Sequence, residues 1–552
     1  MTSMRRQWVG LALLGTWGVL YLGLGGVLPE AQLAAHAAVA GCLGLCLLLP
    51  APRQALADRL TPAWIGLGLV LAAIAVGLVP LPGAVLAWVA PGVLDAHGPV
   101  SWHTLSVSPE RTADRLALWT MYLGMATAAG VWATRRRAAH QVGRIGLLWF
   151  LGVLGFALAH AASSTHAVLG FVPTSLGHHR TFFAPFVDDT HLGTLLLLLL
   201  PNAVRTVARS TSPVARPAVV LLLVVVSGVL LQIGSKGATG VALVLGAVAL
   251  GWPRERRPVA AVVGLLALPV VAAALVWRGG LGGIARLEAW RDALPILVSF
   301  PLAGTGHGGF ATTFAAYRTN LDFLRWAHLH NDGLQWVVEG GLLGAGLGVV
   351  ALGFLLPAAV RTSAFARPWL LGLLGVATHS LVEFPFHIPS IAASVAIVLG
   401  MLHGRASRGQ RLPVGSATRA RWVLATLLAL QLAGGLWTAR SLAQVEAVHQ
   451  VGLYRYDPIT AEEGARRLRW IAPWRSELAL LDLWKAESAG DSQAAVAQAH
   501  ALADRYRADD DALRRAGISL FRSGEHAAAE QVLNQAIARN PADWRSPAVL
   551  AR

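Results

Sequence analysis

Residues 286–310 read RLEAWRDALPILVSFPLAGTGHGGF, and residues 328–344 read HLHNDGLQWVVEGGLLG. This interval carries Arg286, Arg291, His307, Arg325, His328, His330 and Asn331. Apolar chain lies on both sides: one run near 258–277 precedes it, and another near 333–356 grows out of its end. A polar, cation-rich segment between two long apolar runs reads as a loop hung from a membrane. Ionisable groups at the edge of hydrocarbon mark places where chemistry on an amphiphile should be sought.

Composition agrees. Of 552 residues, 55% are hydrophobic and only 13% are charged, and the mean hydropathy is +0.56. Polytopic membrane proteins have this balance, and soluble domains rarely do. Apolar runs of roughly 17–25 residues recur, the length a helix needs to cross about 30 Å of hydrocarbon. About thirteen spans are expected, near 8–28, 32–50, 62–84, 113–133, 143–165, 189–204, 217–234, 238–252, 258–277, 333–356, 368–384, 389–403 and 420–438. A weaker stretch, Ala84 to Leu94, reads as re-entrant rather than spanning. The expected fold class is all-α: a polytopic membrane helix bundle over residues 1–440, followed by a small α-helical domain over residues 441–552.

The arginines orient the spans. Clusters at Arg5/Arg6, Arg53/Arg59, Arg135 to Arg137, Arg205/Arg209/Arg216, Arg254/Arg256/Arg257, Arg361/Arg367 and Arg405/Arg408/Arg411 all fall on one face when the spans alternate. The positive-inside rule makes that face, and the N-terminus, cytoplasmic. Loops 91–112, 166–188, 278–332 and 384–388 then lie outside, with everything after about residue 440. Much of the net charge of +16 is therefore topology charge. The sequence holds no base-reading module, so no nucleic-acid partner is expected. The apolar segment after Arg5 and Arg6 reads as an uncleaved first helix rather than a signal peptide. Cys42 and Cys46, four residues apart within a span, read as packing residues. No zinc or disulfide pattern is present, and neither metal nor cofactor is expected.

After about Leu442 the apolar runs give way to amphipathic helical patterning. DDALRRAGISLFRSGEHAAAEQVLNQAIARNP spells a helix-turn-helix unit. Gly517 permits close approach, Gly524 makes the turn, Ala529 and Ala536 are small packing positions, and Pro541 ends the second helix. These offsets match the tetratricopeptide repeat of about 34 residues. A weaker copy one period earlier has Gly490 and Ala495 in register, and Tyr454 to Trp474 supplies a degenerate third unit. So short a solenoid cannot bury its own faces. It is expected to dock on the membrane domain, on a second copy or on a protein partner.

Several basic groups gather next to the outer ends of spans. His178, His179 and Arg180 stand in the 166–188 loop, ahead of Asp188, Asp189 and His191; Lys236 sits in a very short turn between spans. Arg286 and Arg291 open the large loop, and His328 and His330 close it. An anion at the membrane surface suits such a ring, and a lipid pyrophosphate would fit. Arginines would neutralise charge developing on the leaving group, and a histidine would take a proton from an attacking hydroxyl. The same residues have plainer readings. Asn331 and Asp332 are good caps for the helix that follows. His328, two residues from His330, would point elsewhere on a regular helix. Arg286 and Arg291 suit interfacial anchoring, as do Trp290, Trp326 and Trp336. Glu383, near hydrocarbon, is expected to face a cavity or a basic partner.

The order and spacing of these pieces resemble the O-antigen ligase and polymerase superfamily, membrane enzymes that move glycans off undecaprenyl pyrophosphate. The resemblance runs through WHTLSVSPERTADRLALW, RTFFAPFVDDTHLGTLLLLLLP and SKGATG. It is strongest in the two stretches quoted first, and it ends at HSLVEFPFHIPSIAASVAIVLGML. It implies a glycosyltransferase-C-like helical membrane fold, metal-independent transfer with inversion, and a site on the periplasmic side of a bacterial inner membrane. By resemblance, His330 matches the histidine proposed as general base or as the group orienting the acceptor hydroxyl. Arg286 and Arg180 match arginines that would bind pyrophosphate. Lys236 stands where relatives often have arginine, keeping a point charge without bidentate geometry. Arg291, His328 and Asn331 complete the expected substrate-binding set. Relatives often read G-N-x-N-H where this chain has Asp188-Asp189-Thr190-His191.

Two classes of function follow. One is a glycosyltransferase using undecaprenyl-pyrophosphate-linked glycan, with another glycan, lipid A core or protein as acceptor. The other is a non-catalytic transporter of lipid-linked glycan. A transporter predicts mid-membrane ionisable groups and inverted repeats. Here the ionisable residues crowd the outer ends and the halves do not echo each other, which favours the enzyme. The repeat-like tail, by analogy with glycan-assembly partners, leans toward a polymerase of surface polysaccharide.

Overall fold

The computed structural model describes residues 2–48, 52–133, 138–163, 167–168, 172–173, 183, 185–188, 190–235, 238–242, 245, 281–319, 326–360, 366–406, 416–541, 543 and 545–550. The fold is an all-α membrane helix bundle, as the apolar periodicity requires. Strand among the described residues is confined to two short hairpins, Pro80–Pro82 with Trp102–Thr104 and Ala167–Val168 with Val172–Pro173. Seven of the described helices are long and apolar enough to cross a membrane: Pro29–Leu48, Pro109–Ala133, Gln141–Ala162, Thr190–Ala208, Ala215–Ile233, Asp332–Leu356 and Ala420–Gly452. Shorter apolar helices are Val9–Leu22, Thr61–Val76 and Pro389–Arg405. The expected spans at 238–252 and 258–277 lie largely or wholly outside the described residues.

Two expected runs take a different form. The run at 368–384 is a helix only over Arg367–His379. It then breaks into a turn that frees Glu383 to meet groups from other segments. The Ala84–Leu94 stretch forms two short helices, Gly83–Val89 and Pro91–His97, separated where Pro91 cannot continue the first. Leu86, Ala90 and Val93 pack with Ala289, Ala293, Ile296 and Phe300 in a cluster distinct from the bundle core. This stretch therefore joins the cap made by the large loop.

Pro109–Ala133 is the central helix of the bundle, almost wholly buried along its second half. The Pro389–Ala406 helix lies against it through Gly400 and Gly404. A Cβ at either glycine would strike the carbonyl of Ala126 or Gly130. Small residues four apart let two helices approach closely where water supplies no driving force.

The loop 301–309 is pressed into a break in the Asp332–Val360 helix. Gly341 has φ +61°, and the backbone there leaves helical geometry. The freed groups find new partners: Leu342 N–H donates to Pro301 O at 3.0 Å and Leu343 N–H to Leu302 O at 3.0 Å. Thr305 N–H donates to Val338 O at 3.1 Å, and Gly306 N–H to Glu339 O at 3.0 Å. Broken backbone near hydrocarbon is tolerated when it is satisfied in this way. The break makes residues 332–340 a separate short helical piece, fixed to the loop it packs against.

One helix, Ser416–Gly452, carries the chain out of the bundle and through residue 440 without interruption. The tail that follows is built from helices of 13 or 14 residues: Pro458–Ile471, Ser476–Ser488, Ser492–Arg505, Asp510–Arg522 and His526–Arg539. Gly490 and Gly524 turn the chain with positive φ, Gly517 lies against Leu533, and Ala529 and Ala536 are buried. The tail docks on the membrane domain. Glu110 accepts from Trp474 Nε1 at 2.7 Å and from Gln444 Nε2 at 3.2 Å, while Asp114 accepts from Trp437 Nε1 at 2.7 Å. Arg440 lies over both the Trp437 and Trp474 rings, 4.6 and 5.1 Å from their centroids.

Candidate functional site

The turn 328–332 is held from both sides. Leu329 O accepts from Trp290 Nε1 at 2.9 Å, and Leu329 N–H donates to Gln335 Oε1 at 2.9 Å. Downstream, Asp332 N–H donates to Ser380 O at 2.9 Å. The Asp332 carboxylate accepts from Phe386 N–H at 2.9 Å and lies 2.8 Å from His387 Nδ1. Between these anchors His330 takes φ +52°, a left-handed backbone that L side chains seldom adopt. Such strain persists only where the surroundings over-determine it, and it clusters at working sites.

That backbone aims the imidazole at Glu383. His330 Nδ1 is 3.1 Å from Glu383 Oε2, and Arg286 Nη2 is 2.8 Å from Glu383 Oε1. A second Arg286 nitrogen, Nη1, donates to Val382 O at 2.8 Å. Glu383 is 4% exposed, so it meets the expected basic partner twice over. Burial opposes its charge, but the hydrogen bond from His330 and the Arg286 guanidinium outweigh burial and hold the carboxyl well below the usual range. An ionised Glu383 accepts from Nδ1–H and leaves His330 Nε2 as the acceptor nitrogen.

Aromatic rings wall this group. Phe384 meets His330 edge to face at 4.7 Å, His191 at 4.7 Å and, stacked, His328 at 4.4 Å. Trp326 stands 5.8 Å from His330. Burial first, then the nearby His387 and Arg115, push His328 well below its ordinary value. The His328 ring is therefore neutral near pH 7 and acts as a packed, hydrogen-bonding wall.

A second polar group lies on the short 332–340 piece. Glu339 accepts from Gln335 Nε2 at 3.1 Å and faces His307 Nδ1 at 3.6 Å, with the His307 ring tilted against Trp336 at 4.3 Å. Gln335 Nε2 also lies 3.1 Å from His387 Nε2, joining this group to the turn that carries Glu383.

Of the residues expected from sequence, His330 and Arg286 meet through Glu383. Arg291 is five positions beyond Arg286, about 140° around the helix. It is exposed, with no side-chain partner among the described residues. Asn331 spends its side-chain oxygen capping the following helix, accepting from Leu334 N–H at 3.0 Å. Arg180 and Lys236 lie outside the described residues. Sequence reasoning missed Gln335, Glu339 and the depth of His307. Their signal was one of spacing: Gln335 and Glu339 sit i,i+4 on an otherwise apolar helix, where polar groups need partners.

The bundle defines a multi-pass helical membrane protein in which Arg286, His330 and Glu383 are brought together. Residues 369–552 match the family described as virulence factor membrane-bound polymerase, C-terminal. The match covers the C-terminal third of the chain, and it supports the O-antigen ligase and polymerase family and a membrane polymerase or ligase role. It takes in Glu383 and the tail and begins after His330. No curated protein matches this chain.

Proposed function

We propose that this protein transfers a glycan from undecaprenyl pyrophosphate to an acceptor hydroxyl at the periplasmic face of a bacterial inner membrane, most simply as a polymerase of surface polysaccharide. The observation that carries the reading is the Arg286–Glu383–His330 arrangement, with a strained histidine aimed by a buried carboxylate that also holds an arginine. The periplasmic orientation rests on the distribution of arginines, and the lean to polymerase on the family match.

In this reading His330 Nε2 takes the proton of the acceptor hydroxyl as its oxygen attacks the anomeric carbon. The glycosidic carbon–oxygen bond to pyrophosphate breaks on the opposite side, inverting the centre. Undecaprenyl pyrophosphate leaves with the electron pair. Arg286 offsets the charge growing on it, and Glu383 stabilises the imidazolium formed. Arg180 and Lys236 add further positive charge toward the phosphates, and the mechanism needs no metal. The tail is tetratricopeptide-like.

The test uses protein in nanodiscs with undecaprenyl-pyrophosphate-linked glycan and a chelator present throughout, comparing wild type with His330→Ala and Arg286→Ala. Laddered product from donor alone, lost in both variants, supports a polymerase. Single transfer to added lipid A core makes the same site a ligase. Variants as active as wild type, or lipid movement without transfer, overturn the assignment.

A further inference from the structure

The tail and the outer cap enclose a cleft that the transfer site does not use. Its volume is about 130 Å³, and its lining includes Asp95, Thr312, Thr313, Tyr317, Phe300 and Arg539. Three different parts of the chain build it. Asp95 comes from the 91–97 helix, Thr312, Thr313 and Tyr317 from the large loop, and Arg539 from the end of a tail helix. Arg539 crosses to the cap by donating to the Asp95 carbonyl, and its Nε donates to Arg507 O at 3.1 Å. Both bonds go to backbone oxygens, and the Asp95 carboxylate lies close enough for its charge to act on the guanidinium.

Thr312 Oγ1 accepts from Ser108 Oγ at 3.2 Å, but other polar groups on the wall are under-used. Thr313 is 8% exposed, and its Oγ1 has no hydrogen-bond partner among the described residues. A buried hydroxyl left unmatched is unfavourable, and it marks a place where a partner belongs. The Asp95 carboxylate is exposed and makes no hydrogen bond among the described residues. A ring (Tyr317), two hydroxyls, a carboxylate and a guanidinium around a partly apolar cleft suit a ligand with apolar C–H faces and a rim of hydroxyls. Drug-sized sites usually measure about 300–1,000 Å³, so this one fits a single ring-sized unit rather than an extended molecule.

The cleft also lies near the transfer site. Thr313, Ala316 and Tyr317 flank Phe314, whose ring stands 6.3 Å from Trp326, and Trp326 stands 5.8 Å from His330. Two ring-to-ring steps separate the wall of the cleft from the proposed base, the reach of a short saccharide chain.

We infer that this cleft is a saccharide subsite, binding one sugar unit of the glycan chain at a distance from the bond being made. The ligand class rests on the glycan-transfer reading, whereas the cleft itself does not. In this arrangement the tail completes a binding surface by contributing Arg539, in addition to packing on the cap.

The test measures binding of lipid-free oligosaccharides, one to four repeat units long, released from the cell's own surface polysaccharide. It uses the full-length protein in nanodiscs and saturation-transfer NMR. Thr313→Val removes the hydroxyl at nearly constant volume, and Ala316→Trp fills the cleft from an exposed position. His330→Ala serves as a transfer-dead control. Wild type and His330→Ala should bind alike, and both cleft variants should bind at least tenfold more weakly while unfolding no earlier than wild type. Where transfer is active, Ala316→Trp should also shorten the product ladder. Equal binding by the cleft variants, or none by wild type, overturns the subsite and leaves the transferase standing. Cleft-dependent binding without any transfer sinks the transferase and keeps the subsite.

Discussion

Glu383 Oε2 lies 3.1 Å from His330 Nδ1, across 53 positions of sequence. The histidine reaches it from a left-handed backbone, and the carboxylate is shared with Arg286. This one contact sets the ring's tautomer and its direction, so it is the first place to perturb.

Glu383→Gln removes the charge and lets the amide present either a donor or an acceptor to Nδ1. Transfer should fall by about 10²-fold, the usual scale for a compromised general base, with Glu383→Asp retaining more. Initial rates of glycan transfer at saturating donor report it. A rate within twofold of wild type would remove Glu383 from the mechanism.

The same substitution has a pH signature in stability. Glu383 is depressed below its ordinary value of 4.5 in the folded protein. Its contribution is therefore full above about 4.5 and is lost as pH falls toward the lower folded value. Wild type should unfold at a higher temperature than Glu383→Gln at pH 7, with the gap narrowing as pH drops below about 4.5. Thermal unfolding at a series of pH values reads this directly, and a gap that widens in acid contradicts the sign.

His330→Gly and His330→Ala should both abolish transfer, but they should differ in stability. Glycine accepts φ +52° freely, whereas alanine keeps the strain, worth about 1 kcal/mol. The glycine variant should unfold at the higher temperature. The reverse order would mean that the left-handed backbone carries no strain.

Neutral and stacked, His328 should tolerate Phe. His328→Phe keeps the stack on Phe384 and loses only a weak hydrogen-bonding edge, so transfer should stay within about tenfold of wild type, set against the 10²–10⁴-fold loss expected for an acid–base residue. A loss as deep as that of His330→Ala would give His328 a direct part in the chemistry.

Gly341→Ala places a Cβ against Gly304 N and Leu302 O at a φ of +61°. Backbone strain of this kind costs about 1–3 kcal/mol. The variant should unfold earlier and lose transfer with it, because the 332–340 piece can no longer seat against the loop. An unchanged unfolding temperature would show that the break is dispensable.

The membrane class and the helical bundle were legible in the sequence, and the interval 286–344 stood out as a polar loop. Each follows from local regularities: apolar runs of span length, arginines on alternate loops, and a cation-rich interval between two runs. His330 and Arg286 were marked as candidates by pattern, and both contact Glu383. Glu383 announced itself as a carboxylate near hydrocarbon that had to find a basic partner. Which partner it finds was decided only by the tertiary structure. Arg286, His330 and Glu383 lie on three separate segments, and their meeting depends on the break at Gly341, the early end of the helix at His379 and the pinned turn at His330. The helix at Arg291 looked as cationic as at Arg286, yet rotation about the helix axis sends Arg291 to the exposed side. The cleft at Arg539 lay beyond sequence reasoning for the same reason. Its walls come from residues more than 400 positions apart, and no local pattern encodes how a tail packs on a cap.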